Sequence, residues 1–158
     1  MIEYRLAGPL DAEELAGIRL DFLIEAKGIC EPAEKEALYK NNIEFFKSAF
    51  YDGRFVAWVA VEEGKIVGTS GISFFVQPPN KMVPTGKFAY ITNMYTLPEN
   101  RGQGIASKLF SLIVEEAKDR GCEKIMLNAT TSGRHIYERF GFTDLADNMV
   151  FYTDNSIL

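Results

Sequence analysis

Residues 88–130 constrain the fold more than any other part of the chain. "FAYITNMYTL" (88–97) is dense in β-branched and aromatic residues and reads as a strand. "PENRGQGIA" turns it. From Gly104 onward Ile105, Leu109, Leu112, Ile113 and Ala117 recur at steps that draw one face of a helix, while Lys108, Ser111, Glu115 and Lys118 fall on another. Gly121 is the C-terminal stop of that helix. "KIMLNAT" (124–130) is then a buried-strand run. A strand, a glycine turn, an amphipathic helix and a second strand in succession call for an α/β domain.

The remainder fits that frame. "IEYRLA" opens as a short strand, and Asp11 and Glu14 have the spacing of a capping pair ahead of a helical run through Leu15, Ile18, Leu20, Phe22 and Leu23. Gly28 and Pro32 break that run. A second helix is expected from about Ala33 to Phe50, with Leu38, Asn42, Phe45, Phe46 and Ala49 near one side. "RFVAWVAVEEGKIVGTSGISFFV" has two β-rich segments around "EEGK" and reads as a hairpin. "QPPNKMVPTGK" (77–87) holds three of the six prolines and reads as a loop. "SGRHIYERF" reads as a short helix closed by Gly141, and "MVFYT" (149–153) as a last strand. The expected order is β-α-α-β-β-β-α-β-α-β, a single domain over 1–158 with a mixed sheet.

Bulk properties narrow the function. The 158 residues are 47% apolar and 25% charged, the profile of a globular protein with a real core. Cys30 and Cys122 lie far apart without CxxC spacing, and His135 is the single histidine, so neither a disulfide framework nor a metal centre is expected. The N-terminus lacks a signal-peptide profile, and "FVAWVAV" is too short to span a bilayer. These features read as a cytoplasmic protein without a membrane partner. The net charge of −5 argues against a nucleic-acid partner and leaves room for a local anion site.

The glycine turn offers such a site. A helix N-terminus exposes backbone N–H groups without intrahelical partners, and its dipole favours anions. Gly102 and Gly104 remove the Cβ atoms that would hold a phosphate away. The N–H groups of Gln103, Gly104, Ile105, Ala106 and Ser107 would face a pyrophosphate, and Arg101 would add charge. The alternative from the letters alone is a well-made turn ahead of a surface helix. A Walker A string is absent, and the third glycine of a Rossmann fingerprint is Ser107 here.

What remains is [QR]xxGx[GA], met by Arg101, Gly104 and Ala106, followed by "IYERFGF" (136–142). Together with the element order, these motifs resemble the GNAT (GCN5-related N-acetyltransferase) superfamily. The resemblance implies a mixed, mostly antiparallel sheet flanked by helices, with a splayed parallel strand pair at 88–97 and 124–130. It also implies acetyl-CoA as acetyl donor and no metal. Met94, Tyr95 and Thr96 would contact the pantetheine arm through their backbone, and the N–H of Met94 or Tyr95 would polarise the thioester carbonyl. Tyr137 would face the departing sulfur. Full proton transfer from tyrosine to a thiolate is uphill by about 2 kcal/mol, so a hydrogen bond that strengthens as charge grows on sulfur describes the role better.

Two positions depart from the family pattern. Thr130 stands where many relatives carry an asparagine toward the cofactor, and Arg134 is a candidate to help by itself reaching the nucleotide phosphates. No acidic residue lies between Phe88 and Leu97 to serve as the base. Water ordered by Asn93, or a carboxylate such as Glu25, is the substitute. His135 lies about 200° around the helix from Tyr137 and reads as solvated. The acceptor side is expected from the helices at 11–50 and the loop at 77–87, with Asp21, Glu25 and Glu31 available to attract a cationic amine. The resulting expectation is an N-acetyltransferase acting on a primary amine of a small molecule. A non-catalytic acyl-CoA-binding sensor or partner module is the alternative. A homodimer is common in the family, though no interface is legible in the letters.

Overall fold

A computed structural model describes residues 1–154. The chain forms two compact units, Met1–Asn128 and Ala129–Leu158. The first unit contains β1 (Glu3–Leu6), α1 (Ala12–Lys27), α2 (Pro32–Asp52), β2 (Phe55–Glu62), β3 (Lys65–Val76), β4 (Lys87–Thr96), α3 (Ile105–Asp119) and β5 (Lys124–Leu127). The strands lie side by side in chain order; every pairing is antiparallel except β4 with β5, which is parallel.

The register sorts the side chains onto two faces. Phe55, Ala57 and Val59 of β2 and Ile66 of β3 meet Leu15 and Ile18 of α1 and Phe46 and Ala49 of α2. Ala60 and Val67, of opposite parity, meet Ile105 and Leu109 of α3. Each large side chain removed from water here contributes about 1.5–3 kcal/mol. The expected hairpin closes at Glu63 and Gly64, both at positive φ (50° and 79°), the two-residue turn whose twist matches the flanking strands. The expected stop of α3 is also present. Gly121, at φ 75°, donates to the Lys118 carbonyl while Cys122 donates to that of Ala117.

Three local expectations are corrected. Asp11 does not cap α1 with its side chain. Its carboxylate accepts two hydrogen bonds from Arg5 (2.8 and 2.9 Å) and one from the Gly8 N–H (2.8 Å), and Glu14 accepts from the Ile66 N–H (2.7 Å). A guanidinium and a strand amide outcompete the helix's own donors for these oxygens. The second strand ends at Leu127 instead of Thr130, with Asn128 and Ala129 exposed. The strand expected at 149–153 is absent. Its apolar run is real, but no ladder pairs it, and Met149, Val150 and Phe151 are exposed.

The second unit holds α4 (Arg134–Arg139). Thr130 prepares it: its carbonyl accepts from Gly133 and Arg134, and its hydroxyl from the Gly133 N–H at 3.3 Å. Gly141, at φ 91°, follows the helix, as expected from the sequence. Among the described residues no helix is long and apolar enough to cross a membrane.

Candidate active site

The C-terminal half of β4 is where the sheet departs from regularity. On one edge β4 pairs with β5 only from Phe88 to Ile91, then runs on to Thr96 with no strand on that side. On the other edge Gly71 faces Thr92 and Thr69 faces Tyr95, so Ser70 alone opposes Asn93 and Met94. That is a bulge, and Asn93 sits in it at φ 56°. Asparagine tolerates the left-handed region better than the β-branched and aromatic residues around it.

The bulge leaves polar atoms without partners. Asn93 is 3% exposed, and its Nδ2 donates to Thr69 Oγ1 at 3.5 Å, but its Oδ1 accepts nothing. The Thr96 hydroxyl, also buried, has no partner either. A buried carbonyl oxygen left unpaired costs about 1–3 kcal/mol, so such atoms concentrate where a ligand completes them. Met94 and Tyr95, between them, are half-buried.

A second irregular stretch follows at once. Pro98–Asn100 makes one tight turn, held where the Asn100 amide donates to Glu62 at 3.0 Å. Gly102 and Gly104 both sit at φ 79°, and a Cβ built on either meets nothing within 4 Å. Neither glycine is there to make room for protein. Gly104 is the N-cap of α3, with no side chain capping the helix. Lys108 is the first residue to donate back to the Gly104 carbonyl (3.1 Å), and Ile105 and Ala106 precede it. Gln103 is exposed, and Ser107 lies on the first turn. The geometry is a helix N-terminus that can present amides to an anion.

Arg101 is placed otherwise than the letters imply. Its Nε donates to the Thr96 carbonyl at 3.0 Å, and its terminal nitrogen meets Glu25 of α1 at 2.8 Å. The guanidinium lies 5.3 Å from the centre of the Tyr95 ring, whose hydroxyl donates to the same Glu25 carboxylate at 2.7 Å. Hydrogen bonds from Arg101 and Tyr95 hold the Glu25 carboxyl below its ordinary value, and burial together with Glu25 pushes the Tyr95 hydroxyl up to about 12. A carboxylate stabilised in this way accepts a proton less readily than a free one. These contacts tie α1 to the end of β4, and no spacing rule predicts them across so many residues.

The second unit carries the remaining candidates. Tyr137 is buried on α4, and burial raises its hydroxyl pKa. A Cβ on Gly133 would stand 2.9 Å from the Tyr137 hydroxyl oxygen, so the ring needs a glycine there. Arg134 is committed to Asp144 (2.9 Å) and Glu138 (3.6 Å) instead of standing ready for an anion. His135 is exposed, as expected.

Comparison with known proteins places this geometry. The protein is 36% identical to a predicted acetyltransferase from Clostridium acetobutylicum whose crystal structure was obtained with acetyl-CoA, at a TM-score of 0.88 over 96% of both chains. It is 26% identical to a putative [ribosomal protein bS18]-alanine N-acetyltransferase of Bacillus subtilis, over 84% of this chain and 78% of that one. It is 35% identical to the thialysine N-epsilon-acetyltransferase of Sus scrofa over 40% of this chain, a match that spans 39% of the pig enzyme. The match to the mouse counterpart spans half of that protein's length. A family model described as acetyltransferase (GNAT) matches residues 19–142. The chain belongs to the GNAT acetyltransferase family.

Proposed function

We propose that this protein is an acetyl-CoA-dependent N-acetyltransferase that passes the acetyl group directly to a primary amine of a small molecule, with 1–158 working as one transferase domain. The observation that carries the proposal is the half-paired end of β4, bulged at Asn93, leading directly into a glycine-flanked helix N-terminus. The family membership and the acetyl-CoA-bound neighbour support it.

The residues present fit such a donor. Gly102 and Gly104 leave open space where a phosphate needs to approach backbone. Gln103, Gly104, Ile105, Ala106 and Ser107 would hold the pyrophosphate through their N–H groups, and the α3 dipole would favour its charge. Arg101 contributes at longer range, since its guanidinium also serves Glu25 and Thr96. Met94, Tyr95 and Thr96 would bind the pantetheine arm along the open edge of β4. Thr130 is a further candidate for a cofactor contact. Acetyl-CoA supplies the activated acetyl thioester.

The chain's own chemistry is electrostatic. A Met94 or Tyr95 N–H would stabilise negative charge on the carbonyl oxygen, a type of contact whose loss costs about 3–4 kcal/mol. The Tyr137 hydroxyl, its pKa raised by burial, would donate a hydrogen bond to the departing sulfur. The amine must lose a proton, and the Glu25 carboxylate is already engaged by Arg101 and Tyr95. Water ordered at Asn93 Oδ1 is the route the geometry favours, since that oxygen accepts from a water or an amine N–H and carries no proton of its own.

The test is thiol release from acetyl-CoA with a panel of primary amines. Release that requires an amine is the expected result. Tight acetyl-CoA binding without any amine-dependent release would instead make the protein an acyl-CoA sensor.

A further inference from the structure

Arg19 is a half-buried cation with no carboxylate partner among the described residues. It sits on the inward stripe of α1, four residues after buried Leu15 and one after buried Ile18. Its guanidinium stands 5.2 Å from the centre of the Phe22 ring, and Phe22 meets Tyr95 of β4 edge-on at 6.1 Å. Arg5, Arg54, Arg101, Arg120 and Arg134 each hold a carboxylate. Arg19 holds none among the described residues, and burial lowers its pKa with no charged neighbour opposing the shift. Half-burying a guanidinium without a counter-ion is costly, and its forked donors match a carboxylate or a phosphate.

A second unsatisfied group belongs to the same face of the sheet. Asn93 is bonded to Thr69, and Thr69 is the register partner of Tyr95, the residue that Phe22 touches. This face therefore offers one lone acceptor, Asn93 Oδ1, on the strand, and one lone multiple donor, Arg19, on the helix above it. An amine matches the first, and an anion matches the second. We propose that the acceptor molecule is an amine that also carries an anionic group, carboxylate or phosphate, bound by Arg19 while an amine N–H is received at Asn93 Oδ1. The proposal rests on the transferase reading for its amine end and on Arg19 alone for its anionic end.

The experiment uses ω-amino carboxylates from glycine to aminohexanoate, each beside its neutral carboxamide, and aminoalkyl phosphates beside the corresponding alcohols. Binding is read by melting in the presence of free coenzyme A, and turnover by thiol release with acetyl-CoA. In the wild type at least one anionic member should bind and react about tenfold or more better than its neutral partner. Which series responds tells carboxylate from phosphate. In Arg19→Met the preference should collapse toward one through a higher KM, and Arg19→Lys should restore part of it. The unliganded Arg19→Met protein should melt within a few degrees of the wild type, because its stem still covers Phe22 and no ion pair is lost. No anionic preference in the wild type, a preference that survives Arg19→Met, or a large loss of stability in Arg19→Met would each overturn the proposal. Arg19-dependent anion binding without any acetyl transfer would leave Arg19 as the anion site and remove the transferase reading instead.

Discussion

The centre of the sheet and the far half of β4 differ in completeness. Strand β3 has a partner strand on each edge, and its buried Ser70 hydroxyl finds the Trp58 and Leu109 carbonyls at 3.4 and 3.5 Å. The far half of β4 has a strand on one edge, a left-handed residue in its middle, and two buried polar atoms with no partner. Stability thus resides in the first region, and the second holds unfilled valences in place. Trp58 Nε1 on β2 is also buried without a partner, so a lone orphan marks nothing by itself; the comparison teaches that a binding site can be recognised where open edge, broken register and unpaired polar atoms coincide.

The largest expected effect lies in the complete region. Phe55 is 2% exposed and packs its ring against Phe45, Phe46 and Phe50. Phe55→Ala should cost about 3–5 kcal/mol in urea unfolding while leaving acetyl-CoA affinity per folded molecule intact. Equal loss of both would show that the two regions are not separable. Next comes Tyr137→Phe, which should lower kcat about a hundredfold with little change in acetyl-CoA affinity. Unchanged turnover would remove Tyr137 from the chemistry.

Gly104→Ala sharpens the contrast from the other side. The new Cβ meets no protein atom, so its effect on folding is limited to the left-handed backbone, about 1–2 kcal/mol. The same methyl would stand where the phosphate approaches, and acetyl-CoA affinity should fall by about tenfold or more. A change in folding alone would make the glycine a turn residue only.

The smallest effect concerns the tie between α1 and β4. A hydroxyl raised in the folded state contributes stability below the unfolded tyrosine value, near 10, that is lost as pH rises through about 12. In Glu25→Gln the ionisation assigned to Tyr95, by difference from Tyr95→Phe, should move down from about 12 in ultraviolet titration. The depressed Glu25 carboxyl works in the opposite direction, and its contribution disappears as pH falls through the acid range. A Tyr95 ionisation unmoved by Glu25→Gln would show that the contact does not persist in solution.

Much of this was legible in the letters because it is local. Glu63 and Gly64 announce a two-residue turn, Gly121 a helix end, and the apolar steps from Ile105 the inward face of α3. The glycine turn was readable because two alternate glycines beside Arg101, where a helix begins, ask for more than a turn. What escaped depends on partners distant in sequence. Asp11 looks like a cap until Arg5 is folded beside it. Arg101 looks like a free cation until Glu25 arrives from α1. The bulge at Asn93 arises from mismatched register between β3 and β4, which neither strand shows alone. "MVFYT" shows the converse, since a β-rich apolar run makes a strand only where a ladder accepts it.

The most direct test of the central claim is a melting curve with and without acetyl-CoA, with NAD and ATP as controls. A ligand at one hundred times its Kd stabilises the folded state by about 2.7 kcal/mol. For a chain of this size that raises Tm by roughly 5–10 °C. The account predicts that shift for acetyl-CoA and coenzyme A, its absence for the controls, and its reduction in Gly104→Ala. No shift at millimolar acetyl-CoA, or an equal shift with ATP, would contradict the claim that the open end of β4 and the start of α3 form an acetyl-CoA site.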